Sequence, residues 1–151
     1  MIPGPSHIEI RTAVPEDARP IAAVLLEAFL EYRPSYTEGG FSATTPASDQ
    51  IKHRMQEGPV WVADCGGVIV GTASAVRKGD SLYIRGMAVL PRARGSGIGK
   101  RLLSEIERAA AAGGCRHLLL STTPFLYSAI RRRSSPFRFS LHDSFAIPAS
   151  M

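Results

Sequence analysis

The order of apolar and polar residues divides the chain into short strand-like runs and longer helical stripes. His7-Ile8-Glu9-Ile10-Arg11 alternates and predicts a strand. Pro15-Glu16-Asp17 is expected to open a helix. Proline suits a first turn, where its missing N–H would have no partner, and two acids suit the positive end of the helix dipole. Ile21, Val24, Leu25, Phe29 and Leu30 form one apolar stripe. That helix is expected to reach about Tyr32, because Pro34 disfavours helical geometry at Arg33. Residues 34–46, rich in Gly, Ser, Thr and Pro, read as a loop, and Ser48 is expected to cap a short helix through about Met55.

Three strand-like runs follow: Pro59 to Ala63, Val68 to Val76 and Leu82 to Leu90. Cys65-Gly66-Gly67 and Lys78-Gly79-Asp80 separate them, which suggests an antiparallel meander. Beyond a loop at Pro91 to Ser96, Ile98, Leu102, Ile106 and Ala109/Ala110 recur at helical spacing, and Gly113-Gly114 closes the helix. Arg116 to Thr122 contains Leu118-Leu119-Leu120, an unbroken apolar run that suits a strand buried on both faces. A helix between two strands is a crossover, so the strands ending at Leu90 and beginning near Arg116 should be parallel neighbours. The fold class is α/β, with a mixed, mostly antiparallel sheet flanked by helices.

Composition narrows the function classes. A chain of 151 residues with 44% hydrophobic and 21% charged residues suits one globular domain. No apolar run approaches the roughly 20 residues that span a bilayer, and the first residues lack the basic and apolar regions of a signal peptide. The expectation is a cytoplasmic protein without a membrane partner. Cys65 and Cys115 have no partner at metal-ligand spacing, and His7, His53, His117 and His142 form no local cluster, so no metal site is expected. The two thiols are read as free and buried. The formal charge is +5, but Arg131, Arg132, Arg133 and Arg138 stand against Asp143 alone at the end of the chain. The basicity belongs mainly to the tail, so nucleic acid is not expected as a partner.

The segment that carries chemistry is Arg94-Gly95-Ser96-Gly97-Ile98-Gly99-Lys100, between a strand and a helix. Free N–H groups of a first helical turn, close backbone approach at glycine and the helix dipole together predict an anion site, most simply for a pyrophosphate. Other phosphate loops fail on spacing. A Walker A loop needs Gly where Arg94 stands and Ser or Thr where Arg101 stands; a GxGxxG needs Gly at Lys100 or Leu102.

The longer pattern Met87-Ala88-Val89-x-Pro91-x-x-Arg94-Gly95-x-Gly97-Ile98-Gly99-x-x-Leu102-Leu103 resembles motif A of the GNAT acetyltransferases. The resemblance implies acetyl-CoA as acyl donor. Backbone groups of Met87, Ala88 and Val89 would pair with its pantetheine arm, and N–H groups of Arg94, Gly95, Ser96, Gly97, Ile98, Gly99 and Lys100 would hold its pyrophosphate. Arg92, Arg94 and Lys100 would add charge, and Val89 N–H would serve the oxyanion. The implied reaction is attack of a primary amine, on a small molecule or a protein, upon the thioester.

The resemblance weakens after residue 131. Ser128-Ala129-Ile130-Arg131 matches the start of the family's next helix, but Arg132 and Arg133 stand where Leu-Tyr is usual, and no Gly-Phe follows. The chain therefore reads as an acyltransferase-like domain over residues 1–131 and an atypical basic tail over residues 132–151, lacking the usual closing hairpin. Phe137, Phe139 and Leu141 alternate, so a substitute hairpin returning through Phe145 and Ile147 is one reading; a shifted reading frame near codon 131 is the other. The usual acid tyrosine is absent, and no catalytic residue is assigned. Two functions stay open: an N-acetyltransferase, or a non-catalytic acyl-CoA binding module. A homodimer is left open as well.

Overall fold

A computed structural model describes residues 7–31, 33–35, 37–39, 42, 45–121 and 138–142. The strands are β1 (Ile8–Thr12), β2 (Val60–Cys65), β3 (Val68–Lys78), β4 (Ser81–Val89), β5 (His117–Ser121) and β6 (Arg138–His142), and they lie in one sheet in chain order. Neighbours from β1 to β4 are antiparallel; β4–β5 and β5–β6 are parallel. The helices are α1 (Ala18–Leu30), α2 (Ser48–Glu57) and α3 (Ile98–Ala112). The crossover through α3 makes β4 and β5 parallel neighbours, as the sequence predicts.

Alternation along β3 divides the core between two faces. Thr72 and Ser74 face Ile21 and Leu25 of α1 and Ile51 of α2. Gly71 faces the other way, toward Ile98 at the start of α3. Residues 69–75 of β3 are all buried, which a strand covered on both sides requires. A Cβ added at Gly71 would lie 3.0 Å from Ile98 Cγ2 and 3.3 Å from the Ala88 carbonyl oxygen. Glycine at this position lets the first turn of α3 rest against the sheet.

Local chemistry sets the helix ends, with two departures from the sequence reading. Pro15–Asp17 forms a separate 3-10 turn ahead of α1, and Asp17 is a buried anchor. Its carboxylate accepts from both terminal nitrogens of Arg11, at 2.8 and 3.1 Å, and from Val14 N–H at 2.8 Å. Ser48 does not cap α2: it is the first helical residue, Ala47 is the cap, and Gln50 Oε1 accepts the Ala47 N–H at 2.9 Å. Gly113-Gly114 ends α3 as expected. Cys115 N–H donates to the Ala110 carbonyl and Gly114 N–H to that of Ala111, with Gly114 at φ 72°, the two bonds of a Schellman end.

Cys65 and Cys115 are buried and in no disulfide. Arg138–His142 supplies a sixth strand, parallel to β5. The return through Phe145 and Ile147, and the segment around Tyr127 and Arg131, lie outside the described residues. Among the described residues no helix is long and apolar enough to cross a membrane, and no group of His, Cys, Asp or Glu could hold a metal ion.

Candidate functional site

Strand β4 changes partners along its length. Ser81–Ile84 pair with His117–Leu120 of β5, and the pairing ends there. At the same point the β3–β4 register slips: Ala75 faces Ile84 but Ser74 faces Gly86, so Arg85 is an extra residue in β4. Such a bulge bends and twists its strand. The Met87–Val89 stretch keeps its antiparallel pairing to β3 but has no described strand on its other side.

The ladder fixes which backbone groups face that open edge. Leu90 N–H donates to the Val70 carbonyl at 2.8 Å, which makes Val89 and Gly71 a non-hydrogen-bonded pair. The N–H and C=O of Val89 therefore point away from β3. By alternation those of Met87 do the same, while those of Ala88 face Thr72 of β3. Arg94 Nε donates to the Val89 carbonyl at 3.3 Å, which agrees with that direction.

From this edge the chain runs into the glycine loop. Pro91–Ala93 forms one 3-10 turn, and Ser96 Oγ donates back to the Ala93 carbonyl at 2.6 Å. Gly95 at φ 87° and Gly97 at φ 81° occupy left-handed backbone that other residues rarely adopt. A Cβ at either would meet nothing within 4 Å, so the loop presents bare backbone to open space. Gly97 caps α3 without any side-chain cap bond, and the first intrahelical bond runs from Arg101 N–H to the Gly97 carbonyl. The N–H groups of Ile98, Gly99 and Lys100 belong to the first turn and precede the i→i−4 ladder. First-turn donors, a helix dipole and left-handed glycines with clear space in front fit a pyrophosphate.

The basic side chains of the loop face two ways. Arg92 Nη1 lies 2.8 Å from Glu27, and Arg94 pairs with Glu31 and donates to the Ala28 carbonyl at 3.4 Å. These contacts tie the loop to the last turns of α1, so both arginines brace the loop. Lys100 is exposed on the first turn of α3. Spacing along the sequence signals none of these partners, which lie more than sixty residues away. The bulge at Arg85 also escapes periodicity; Gly86 inside an apolar strand is the one cue to it.

The chain matches the sequence model of the Acetyltransferase (GNAT) family over residues 23–131, and it belongs to that family. Acetyl-CoA is the acyl donor of the family. Solved structures share the fold. PaiA N-acetyltransferase from Thermoplasma acidophilum, in complex with coenzyme A, is 17% identical, with 83% of this chain and 85% of that one covered and a TM-score of 0.70. A GNAT family acetyltransferase from Brucella melitensis, in complex with acetyl-CoA, is 24% identical over 82% and 81% of the two chains, with a TM-score of 0.63. A GNAT family acetyltransferase from Staphylococcus aureus is 19% identical over 83% and 79%, with a TM-score of 0.65.

Proposed function

We propose that this chain is an N-acetyltransferase that carries an acetyl group from acetyl-CoA to an amine of a small molecule or protein. The observation that carries the reading is the continuity between the open edge of β4 and the bare first turn of α3. The amides of Met87 and Val89 would take the pantetheine arm as an added strand would be taken. Gly95 through Lys100 would hold the pyrophosphate, as family membership and the PaiA and Brucella complexes suggest by likeness. Bound there, acetyl-CoA would supply an activated acetyl thioester. Val89 N–H, directed to the open edge, would be placed to stabilise an oxyanion. An acceptor arriving as an ammonium ion must lose a proton before its nitrogen can attack, and no residue is assigned to that transfer.

Calorimetric titration of the chain with acetyl-CoA, beside a Gly97→Glu variant, tests the reading. The variant places a carboxylate where the pyrophosphate would lie and strains a left-handed position. Saturable binding by the parent and at least a tenfold loss in the variant is the expected result. A folded parent that does not bind acetyl-CoA would overturn the assignment. Binding without turnover on any amine would favour a non-catalytic acyl-CoA binding module.

A further inference from the structure

Two glutamates at the end of α1 meet arginines of the glycine loop. Arg92 donates to Glu27, and Arg94 donates to Glu31, the residue that closes the helix. The arginine charge at the loop is thus matched by two carboxylates. An incoming pyrophosphate would gain little from either guanidinium, and its binding would fall mainly on backbone N–H groups and the dipole of α3. Hydrogen bonds weaken steeply when misaligned, so whatever aims the loop sets its affinity.

Arg94 is placed to do the aiming. Its Nη2 donates to the Ala28 carbonyl at 3.4 Å, its Nη1 to Glu31, and its Nε to the Val89 carbonyl at 3.3 Å. Ala28 belongs to the last turn of α1, where carbonyls lack the donor that the helix interior supplies and a cation is favoured. Val89 lies on the open edge of β4, and Arg94 itself stands three residues before Gly97, the cap of α3. One side chain therefore joins the end of α1 to both the edge and the loop. Glu31 holds the guanidinium there, with side chains 26% exposed for Arg94 and 47% for Glu31. A pair this open adds little to folding. What it fixes is the direction of Arg94.

We infer that Glu31 is a positioning residue for the cofactor: through Arg94 it aims the Val89 edge and the glycine loop, and it holds Arg94 off the pyrophosphate. The inference rests on the acetyltransferase reading for the identity of the bound group. The sign of one effect separates this role from direct contact. Were Arg94 a phosphate ligand, Glu31 would compete with the pyrophosphate for it, and neutralising Glu31 would tighten binding. A positioning Glu31 acts in the opposite sense, because its neutralisation releases Arg94 and the loop with it.

Calorimetric titration of the full chain with acetyl-CoA tests this in Glu31→Gln, Arg94→Gln and the double variant, with each melting temperature recorded. Glu31→Gln should weaken acetyl-CoA about three- to fivefold, the range of a partly exposed ion pair, with a melting temperature close to the parent's. Arg94→Gln, which also disturbs the Ala28 and Val89 contacts, should lose more. The double variant should bind no more weakly than Arg94→Gln, since Glu31 acts only through that side chain. Glu31→Asp, which keeps the charge, should recover most of the loss. Unchanged or tighter binding in Glu31→Gln, losses that add in the double variant, or no recovery in Glu31→Asp would each overturn the role. A fall in melting temperature with affinity intact would also overturn it, leaving Glu31 a structural contact. When the parent binds, these outcomes leave the transferase reading standing; a folded parent that does not bind acetyl-CoA sinks both.

Discussion

Asp17 illustrates how far a residue's role can depart from its local setting. The sequence places it at a helix start, where any acid would favour the dipole. In the structure it accepts three hydrogen bonds, two from Arg11, which also reaches Asp64 of β2 at 3.2 Å. The Arg11 hydrogen bonds hold the Asp17 carboxyl below its usual range; burial opposes this and the Val14 N–H adds to it. Arg11 is correspondingly held above its ordinary value, chiefly by Asp17. A carboxyl depressed in the folded state contributes stability that is present above its unfolded value, near pH 4, and lost as pH falls through the folded value. Asp17→Asn should therefore cost about 2 kcal/mol at neutral pH, the scale of hydrogen bonds to a charged group. It should also flatten the loss of stability below about pH 4. Urea unfolding across pH 2 to 7 measures both, and an unchanged acid slope in the variant would rule Asp17 out as its source. No sequence spacing predicts this network, because Arg11 and Asp64 stand 53 residues apart.

Most elements are legible in the sequence because each buries a face with its own period. The stripe of α1 places Ile21, Val24, Leu25 and Phe29 in the core but leaves Leu30, at the helix end, exposed; the Ile98–Ala110 stripe of α3 packs on the core, and the three meander strands pair as predicted. What periodicity does not carry is where a strand changes partners. The slip at Arg85 and the end of β5 pairing at Ile84 arise from tertiary contacts, and these two features create the open edge. The glycine loop was readable because glycine is a local signal; the directions of Met87 and Val89 amides needed the register. Gly71 links the two levels. Gly71→Ala would press on Ile98 and on the Ala88 carbonyl and move the first turn of α3. The expected cost is about 1–2 kcal/mol in thermal or urea unfolding, typical of an overpacked core. Acetyl-CoA affinity should fall along with it, because Ile98 and its neighbours carry the N–H groups of the loop. Lost stability with unchanged affinity would mean that the loop is positioned independently of β3.

At the scale of the molecule, the two ends of the sheet differ in what holds them. The β1 edge is tied by the Arg11–Asp17–Asp64 network to the start of α1. The other end is parallel, and β5 has only four residue pairs with β4 before the strands part. Its second neighbour is β6, which matches it in register over five pairs from His117–Arg138 to Ser121–His142. Residues 132–151 therefore include a strand that covers main-chain donors and acceptors of β5, although their sequence departs from the family pattern. Ending the chain after Arg131 would remove β6 and leave that edge open beside Leu118-Leu119-Leu120, an apolar run of the kind that recruits other strands. Sedimentation velocity across a concentration series should then show the shortened chain associating more strongly than the full chain. Binding of acetyl-CoA should persist in its unassociated fraction, because the loop between β4 and α3 remains intact. If the shortened chain stays monomeric and melts at the same temperature, β6 contributes nothing to the sheet, and residues 1–131 form the complete folding unit.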